Sequence, residues 1–241
     1  MSVLEIVKIG IEDICTSFDI KENLYQKYVE SEILKDNLLR PLMEKRDNNM
    51  DWTKETPLGG AGTTLNGCAL YCLVRHFGMT SVLETGVSGG YYTAFMLAAL
   101  NKNNNEGELV SLELSDNKTE VGKLVPKFKL NARIDWDLKL GESSLEWFEK
   151  RRRSKVTHNS ELYSHDSLHT MSHMLKELKE FKESTADRFF IFIDDEKSDN
   201  FWNRCLQTNA FKKQGYNVRY VSGQESRLNG HLGGFIKFEK V

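Results

Sequence analysis

The sequence has few of the residues that mark secreted, disulfide-stabilised proteins. Among its 241 residues there are four cysteines, which are scattered and form no CxxC pair. Cysteine at this density builds no disulfide framework, and Cys68 and Cys72, one helical turn apart in an apolar stretch, are predicted to be small core residues. The N-terminus has neither the basic region nor the small-residue cleavage site of a signal peptide. We therefore expect a cytoplasmic protein.

An excess of charge and long hydrophobic runs are missing as well. Lys and Arg total 33, and Asp and Glu total 35, which gives a formal net charge of -2. Such a balance indicates no global attraction to nucleic acid or to anionic membranes. No apolar run approaches the ~18 residues that a membrane-spanning helix requires. Neither nucleic acid nor a membrane is therefore expected as a partner.

What the sequence does contain is, first, a helical pattern near its N-terminus. Apolar residues recur there at about helical spacing, namely Leu24, Tyr28, Ile33, Leu38, Leu39 and Leu42. A polar, glycine-containing stretch then ends the helical region before residue 61. We predict that residues 1–60 form a helical segment that either caps a site or mediates homo-oligomer contacts, and that residues 61–241 form the main domain.

From Gly62 onward, predicted strands alternate with predicted helices. The strands are 81–84, 108–114, 134–140, 161–165, 189–193, 216–221 and 235–238, and the helices are 63–76, 91–100, 118–131, 143–150, 168–181 and 199–212. Five strand–helix alternations predict a parallel sheet with helices on both faces, and the last two strands have the pattern of an antiparallel hairpin. The predicted fold class is a doubly wound, Rossmann-like α/β fold with a mostly parallel seven-stranded sheet, a C-terminal antiparallel hairpin and an N-terminal helical extension.

The strongest motif is the stretch VLETGVSGGYYT, residues 82–93. An acidic residue, Glu84, ends a strand, and a glycine-rich turn then opens a helix whose free N–H groups can meet a ligand. A dinucleotide site expects GxGxxG, which Thr85 and Val87 interrupt, and Glu84 would repel a pyrophosphate. Glu113, at the end of the next strand, is placed to accept hydrogen bonds from ribose hydroxyls. The motif therefore favours a nucleoside ligand with a cationic part, and a dinucleotide-dependent oxidoreductase remains an alternative.

These residues resemble the first motif of class I S-adenosylmethionine-dependent methyltransferases. The sequence of this motif is similar to that of the branch that includes rhamnosyl O-methyltransferases and cephalosporin-hydroxylase-like proteins. The resemblance covers most of residues 60–241. It implies S-adenosylmethionine as the cofactor. The cofactor-binding residues that it implies are Glu84, Gly86, Ser88, Gly90 and Thr93 in the motif, Glu113 at the ribose, and the turn of Gly141, Glu142 and Ser143 near the adenine.

A second motif is a set of acidic residues after the fourth and fifth strands. Asp166 follows the fourth strand, and Asp194 and Asp195 follow the fifth. Neighbouring strands would bring these carboxylates together, where they repel one another unless a cation is bound. Oxygen ligands favour Mg²⁺ or Mn²⁺. The set is similar to that of metal-dependent catechol and macrolide-sugar O-methyltransferases, which implies Asp166, Asp194 and Asp195 as metal ligands. Two alternatives stay open: Glu196 replaces one of these ligands, or Asp194 and Asp195 start a loop and cap a helix.

His169 stands three residues after Asp166, where the catechol enzymes have a lysine. With a reference pKa of ~6.5, histidine can accept a proton near neutral pH, so His169 is the predicted catalytic base. Alternatively, it hydrogen-bonds a carboxylate and orients a ligand. His165, His169 and His173 are four residues apart, but a zinc-binding face is rejected because His165 belongs to the strand.

Together these motifs predict an S-adenosylmethionine-dependent O-methyltransferase assisted by Mg²⁺ or Mn²⁺. The acceptor would be a small hydroxylated molecule such as a sugar, an antibiotic or a catechol-like natural product. Besides the oxidoreductase, the remaining alternative is a non-catalytic protein that keeps the fold and binds the cofactor.

Overall fold

The computed structural model describes residues 3–47, 62–103, 106–125, 132–156, 159–194, 204–205, 207–222 and 233–241. Within these ranges the strands are β1 Ser81–Thr85, β2 Gly107–Glu113, β3 Ile134–Leu140, β4 Leu162–His165, β5 Arg188–Ile193, β6 Tyr216–Val221 and β7 Gly234–Lys240. They form a seven-stranded sheet in the order β3-β2-β1-β4-β5-β7-β6. The first five strands pair in parallel, whereas β7 is antiparallel to both β5 and β6. The predicted fold class is confirmed.

The helices are α1 Val3–Phe18, α2 Glu22–Lys27, a π-helical stretch Tyr28–Ile33, α3 Leu39–Asp47, α4 Gly62–Phe77, α5 Tyr91–Asn103, α6 Ser144–Arg153 and α7 Met171–Phe181. In the part of the chain that is described, none of them is long and apolar enough to cross a bilayer. Side chains alternate along the strands, so that Val82 packs with α4 and α5 on one face of the sheet, while Leu83 packs with α6 and α7 on the other.

The N-terminal helices share the hydrophobic core of the first face. Phe18 of α1 is buried and meets Phe190 of β5 edge to face, with ring centroids 5.5 Å apart. The Glu32 carboxylate accepts from both Nε and Nη2 of Arg75 in α4, at 2.8 and 3.1 Å, and from the Tyr71 hydroxyl at 2.8 Å. Apolar packing and this ion pair therefore attach the N-terminal helices to the sheet domain. Their roles as cap or oligomer contact remain predictions.

One predicted helix, 118–131, is wrong over its described part. Residues 118–125 form turns instead, and Gly122 has a φ of +70°. The reason is a tertiary contact: the backbone N–H groups of Gly122 and Leu124 donate to the carbonyls of Ser88 and Gly89, at 2.9 and 2.8 Å. Peptide groups that pair with another segment are not available for helical hydrogen bonds.

Two other helix boundaries differ from the prediction. The helix predicted from Leu168 begins at Met171, and Leu168 itself is 59% exposed. A helix is predicted over 199–212, but residues 199–203 and 206 lie outside the described ranges. Among the described residues of this stretch, Arg204, Cys205 and Gln207 are helical.

Candidate functional site

The order of the sheet reverses between β1 and β4, and the candidate site lies at the carboxyl ends of these strands. Open α/β sheets bind ligands at such a switch point. The glycine-rich turn after β1 has Gly86 at φ +84°, Ser88 at φ +46° and Gly90 at φ +85°. A Cβ at Gly86 would lie 2.0 Å from the carbonyl oxygen of Asp166, and one at Gly90 would lie 2.5 Å from Cγ2 of Val125. The turn is therefore held between the loop after β4 and residues 122–125.

Glu84 supports this turn from beneath. It is 1% exposed and accepts hydrogen bonds from Oγ1 of Thr93, at 2.9 and 3.0 Å, and from Oγ of Ser111 at 2.7 Å. Burial raises the pKa of Glu84 to about 8, more than the Ser111 and Thr93 hydrogen bonds lower it. The buried carboxyl thus holds its proton to higher pH than an exposed glutamate does. The structure places Glu84 and Thr93 inside the fold, joined to the start of α5, rather than on the open side of the turn.

Glu113 meets the turn at its rim, as its position after β2 predicts. Its Oε2 accepts from the backbone N–H groups of Val87 and Ser88, both at 2.9 Å, and its Oε1 accepts from that of Ser115 at 2.9 Å. Burial alone would raise the pKa of Glu113, but the backbone hydrogen bonds from Ser115, Ser88 and Val87 outweigh it and lower the pKa. An ionised carboxylate therefore faces the turn, where it can accept from hydroxyl groups.

The predicted adenine turn lies beside the end of β2. Gly141 has a φ of +68°, and among the described residues a Cβ there would meet Cβ of Asp116, at 3.6 Å. The backbone N–H of Glu142 donates to the carbonyl of Glu113 at 3.2 Å, and the Glu142 side chain pairs with Lys150 at 2.6 Å. Ser143 directly precedes α6. These three residues are thus brought next to Glu113.

The acidic residues after β4 and β5 come from adjacent positions in the sheet. His165 is paired with Ile193, so that Asp166 and Asp194 follow on neighbouring strands. Asp166 Oδ1 lies 3.3 Å from Nε2 of His169. Asp195 lies outside the described residues. Within those residues no three His, Cys, Asp or Glu side chains form a group that could hold a metal ion.

Sequence reasoning missed Asn66, which contacts one of the predicted ligands. Asn66 is a buried residue of α4, and its Nδ2 donates to Oδ1 of Asp194 at 3.1 Å and to the Tyr92 hydroxyl at 3.3 Å. Its Oδ1 accepts from the backbone N–H of Gly233 at 2.8 Å. The one available signal was an amide in the apolar stretch LNGCALYCL, because a buried amide needs hydrogen-bond partners.

Glu177 was missed as well, although it is the most heavily hydrogen-bonded side chain near the site. It lies on the buried stripe of α7 and is 0% exposed. His165 Nδ1 lies 2.5 Å and His173 Nε2 3.0 Å from its carboxylate oxygens. Burial opposes ionisation, but the His165 and His173 hydrogen bonds outweigh it, and the pKa of Glu177 is well below its usual range. Two of the three evenly spaced histidines therefore gather around a carboxylate.

Residues 83–196 match the family model of a methyltransferase domain. This segment runs from β1 to just beyond β5 and includes the glycine-rich turn, Glu113, Asp166, His169 and Asp194. No curated protein matches the chain. The family match favours methyl transfer over the dinucleotide-dependent oxidoreductase.

Solved structures of three methyltransferases resemble the chain. The O-methyltransferase from Bacillus cereus, in complex with S-adenosylhomocysteine, is 18% identical with a TM-score of 0.57, covering 90% of this chain and 97% of that one. The O-methyltransferase TomG from Streptomyces achromogenes, which is involved in tomaymycin synthesis, is 15% identical with a TM-score of 0.56, covering 89% and 95%. A Podospora anserina methyltransferase is 13% identical with a TM-score of 0.52, covering 89% and 94%. At these identities the likeness shows a shared fold.

Proposed function

We propose that this chain is a class I S-adenosylmethionine-dependent methyltransferase that transfers a methyl group to a hydroxyl oxygen of a small molecule with the help of a divalent metal ion. The observation that carries the proposal is the meeting of the glycine-rich turn, the Glu113 carboxylate and the Asp166–His169 pair at one edge of the sheet. The methyl donor and the base His169 would therefore face the same hydroxylated substrate.

The residues of the turn fit the cofactor. Glu113 is an ionised acceptor at the rim, suited to ribose hydroxyls, and the turn at Gly141 lies beside the end of β2, on the side proposed for the adenine. The Gly86, Ser88 and Gly90 backbone would line the methionine and ribose part, with Glu84 and Thr93 holding the turn from beneath. Glu142 and Ser143 would complete the adenine side. When bound, S-adenosylmethionine supplies a methyl group on a cationic sulfonium.

The acidic residues after β4 and β5 are the proposed ligands of a hard cation. Asp166 and Asp194 offer carboxylate oxygens from adjacent strands, and Asp195 is the third ligand in the proposal. Mg²⁺ and Mn²⁺ take oxygen ligands and leave positions for water and substrate oxygens. Such an ion would bind the acceptor hydroxyl and lower its pKa.

His169 is the proposed base. Its Nε2 lies 3.3 Å from Asp166 Oδ1, which places the imidazole beside a proposed metal ligand. The acceptor hydroxyl would lose its proton to His169, and the oxygen would then form the new bond to the methyl carbon as the carbon–sulfur bond breaks. Holding the two reacting atoms in line supplies much of the acceleration.

The proposed acceptor is a small hydroxylated molecule, such as a sugar, an antibiotic or a catechol-like compound. The N-terminal helices would cover the site or join two copies of the chain. No nucleic acid or membrane enters the proposal, and the proposed location is the cytoplasm.

A thermal-shift titration tests the cofactor and the metal together. S-adenosylhomocysteine, S-adenosylmethionine and NAD⁺ are each added with Mg²⁺ and with EDTA, and a ligand at 100 times its Kd should stabilise the fold by ~2.7 kcal/mol. We expect shifts with the two adenosyl-sulfur compounds and a further shift with Mg²⁺. A response to NAD⁺ alone would overturn the proposal. Methyl transfer to a panel of hydroxylated compounds then separates an enzyme from a protein that binds the cofactor without turnover.

A further inference from the structure

We infer that Glu177 is a positioning residue of this site, whose buried carboxylate ties together the three chain segments that follow β1, β3 and β4. The inference rests on the proposed function, because those three segments carry the proposed cofactor, metal and base residues. It adds a residue that belongs to none of the three segments and that the motifs of the sequence do not indicate.

The hydrogen bonds of Glu177 reach all three segments. Thr85 Oγ1, at the end of β1, donates at 3.0 Å, and Ser144 Oγ, at the start of α6, donates to the other carboxylate oxygen. From the β4 side, His165 Nδ1 lies at 2.5 Å, and Ser167 Oγ lies 3.2 Å from both oxygens. Donors from the end of β1, the start of α6 and the end of β4 with its following loop therefore converge on one carboxylate.

Each donor is the chain neighbour of a proposed site residue. Thr85 precedes Gly86, and Ser144 follows Ser143. His165 and Ser167 stand on either side of Asp166. The peptide bonds are short and stiff, so fixing these side chains also fixes the backbone from which the site residues project. Glu177 thereby sets the spacing between the turn after β1 and the loop that carries Asp166 and His169.

Packing alone does not call for a carboxylate at this position. The neighbours on the buried stripe of α7 are Met174, Leu178 and Phe181, so an apolar side chain would continue the stripe. A buried carboxylate is costly unless hydrogen bonds satisfy it, and replacing buried charged groups by apolar ones is often neutral or stabilising. We therefore attribute the carboxylate at position 177 to its hydrogen bonds with the three segments.

The test compares the full-length wild-type chain with Glu177→Gln, which keeps the size of the side chain but removes its charge. The control is Glu180→Gln on the same helix, where the carboxylate makes a surface contact with Arg152 at 3.5 Å. Amide hydrogen exchange is followed without ligand in residues 85–88, 142–145 and 165–170. We expect exchange in these three segments to become at least about 10-fold faster in Glu177→Gln, with α5 and β5 unchanged, and no change in Glu180→Gln.

Turnover gives the second readout. Residues that orient ligands and catalytic groups from behind typically contribute about 10- to 100-fold to affinity or activity. We expect kcat to fall by about that factor in Glu177→Gln, while KM for the acceptor changes less than about threefold. Unchanged exchange and unchanged kcat would overturn the inference. Faster exchange spread evenly over the whole chain would overturn it too, since Glu177 would then serve global stability.

A milder variant keeps the inference testable if Glu177→Gln does not fold. Ser144→Ala removes one donor, and faster exchange confined to residues 142–145 is expected, whereas unchanged exchange there would contradict the inference. The proposed function is judged separately, on binding of S-adenosylhomocysteine and methyl transfer by the wild-type chain. The exchange readout needs no ligand, so failure of one proposal is distinguishable from failure of the other.

Discussion

Gly86 and Asp166 are packed so closely that position 86 has no space for a side chain. A Cβ at Gly86 would lie 2.0 Å from the Asp166 carbonyl oxygen, while the backbone N–H of Asp166 donates to Thr85 O at 2.8 Å. The proposed cofactor turn and the loop that carries the proposed metal ligand and base are thus one packed unit. A substitution at Gly86 or Asp166 should therefore alter both the proposed cofactor turn and the loop that carries the proposed metal ligand and base.

Gly86→Ala should destabilise the fold and weaken cofactor binding. The positive φ of +84° alone costs an L-residue about 1–2 kcal/mol, and the clash with the Asp166 backbone adds about 1–3 kcal/mol. Urea unfolding measures the loss. The matched control is Gly78→Ala, since Gly78 has a φ of +60° but no atom of the described residues lies within 4 Å of its added Cβ. Equal losses in the two variants would contradict the packing argument.

Glu84→Gln should flatten the dependence of stability on pH. The folded-state pKa of about 8 lies above the ordinary value of 4.5, so the folded chain holds an extra proton between these values. Glu84 therefore makes stability fall as pH rises through this window, with a slope of at most about 1.4 kcal/mol per pH unit. Denaturant unfolding at pH 5.5, 6.5 and 7.5 measures this. Glu120→Gln, which alters an exposed carboxylate, should leave the slope unchanged, and an unaltered slope in Glu84→Gln would count against the buried proton.

His169→Gln should abolish most turnover and leave cofactor binding in place. Loss of a general base costs typically 10²- to 10⁴-fold in rate. The measurement pairs a methyl-transfer assay with calorimetric titration of S-adenosylhomocysteine. His76→Gln, at the C-terminal end of α4, serves as the control. If His169→Gln keeps full activity from pH 6 to 8, the residue is not the base.

Asp166→Asn and Asp194→Asn should each remove the response to Mg²⁺. Both replacements keep the shape of the side chain but take away a charged oxygen ligand. The thermal shift caused by Mg²⁺ in the presence of cofactor is the readout, with Asp137→Asn, in an exposed pair with Lys139 on β3, as the control. Turnover of the wild-type chain that survives EDTA would falsify the metal role.

Local sequence pattern was sufficient to predict most of the sheet. β3 and β6 have the predicted bounds Ile134–Leu140 and Tyr216–Val221, and β5 follows from the apolar run RFFIFI. A central parallel strand is covered on both faces, so nearly every residue in it must be apolar. The turn after β1 could also be predicted, because backbone positions with positive φ favour glycine, as at Gly86 and Gly90.

Contacts between distant segments decided what the pattern could not. Residues 118–125 have the composition of a helix, yet the N–H groups of Gly122 and Leu124 pair with the carbonyls of the turn at Ser88 and Gly89. Leu168 fits the apolar spacing of α7 but lies in the loop before it, exposed. The spacing of apolar residues within one segment does not predict hydrogen bonds from that segment to a distant one.

The sequence by itself therefore determined the fold class, the methyltransferase motif and the edge of the sheet at which Glu113, Asp166 and His169 emerge. Only the tertiary structure decided that Glu84 is buried against Thr93 and Ser111 and that Asn66 donates a hydrogen bond to Asp194. It alone also revealed that the Glu177 carboxylate contacts the end of β1, the start of α6 and the end of β4. The physical reason is separation along the chain: the Thr85–Glu177 bond spans 92 residues and the Asn66–Asp194 bond spans 128. Partners so far apart meet only when the sheet has formed.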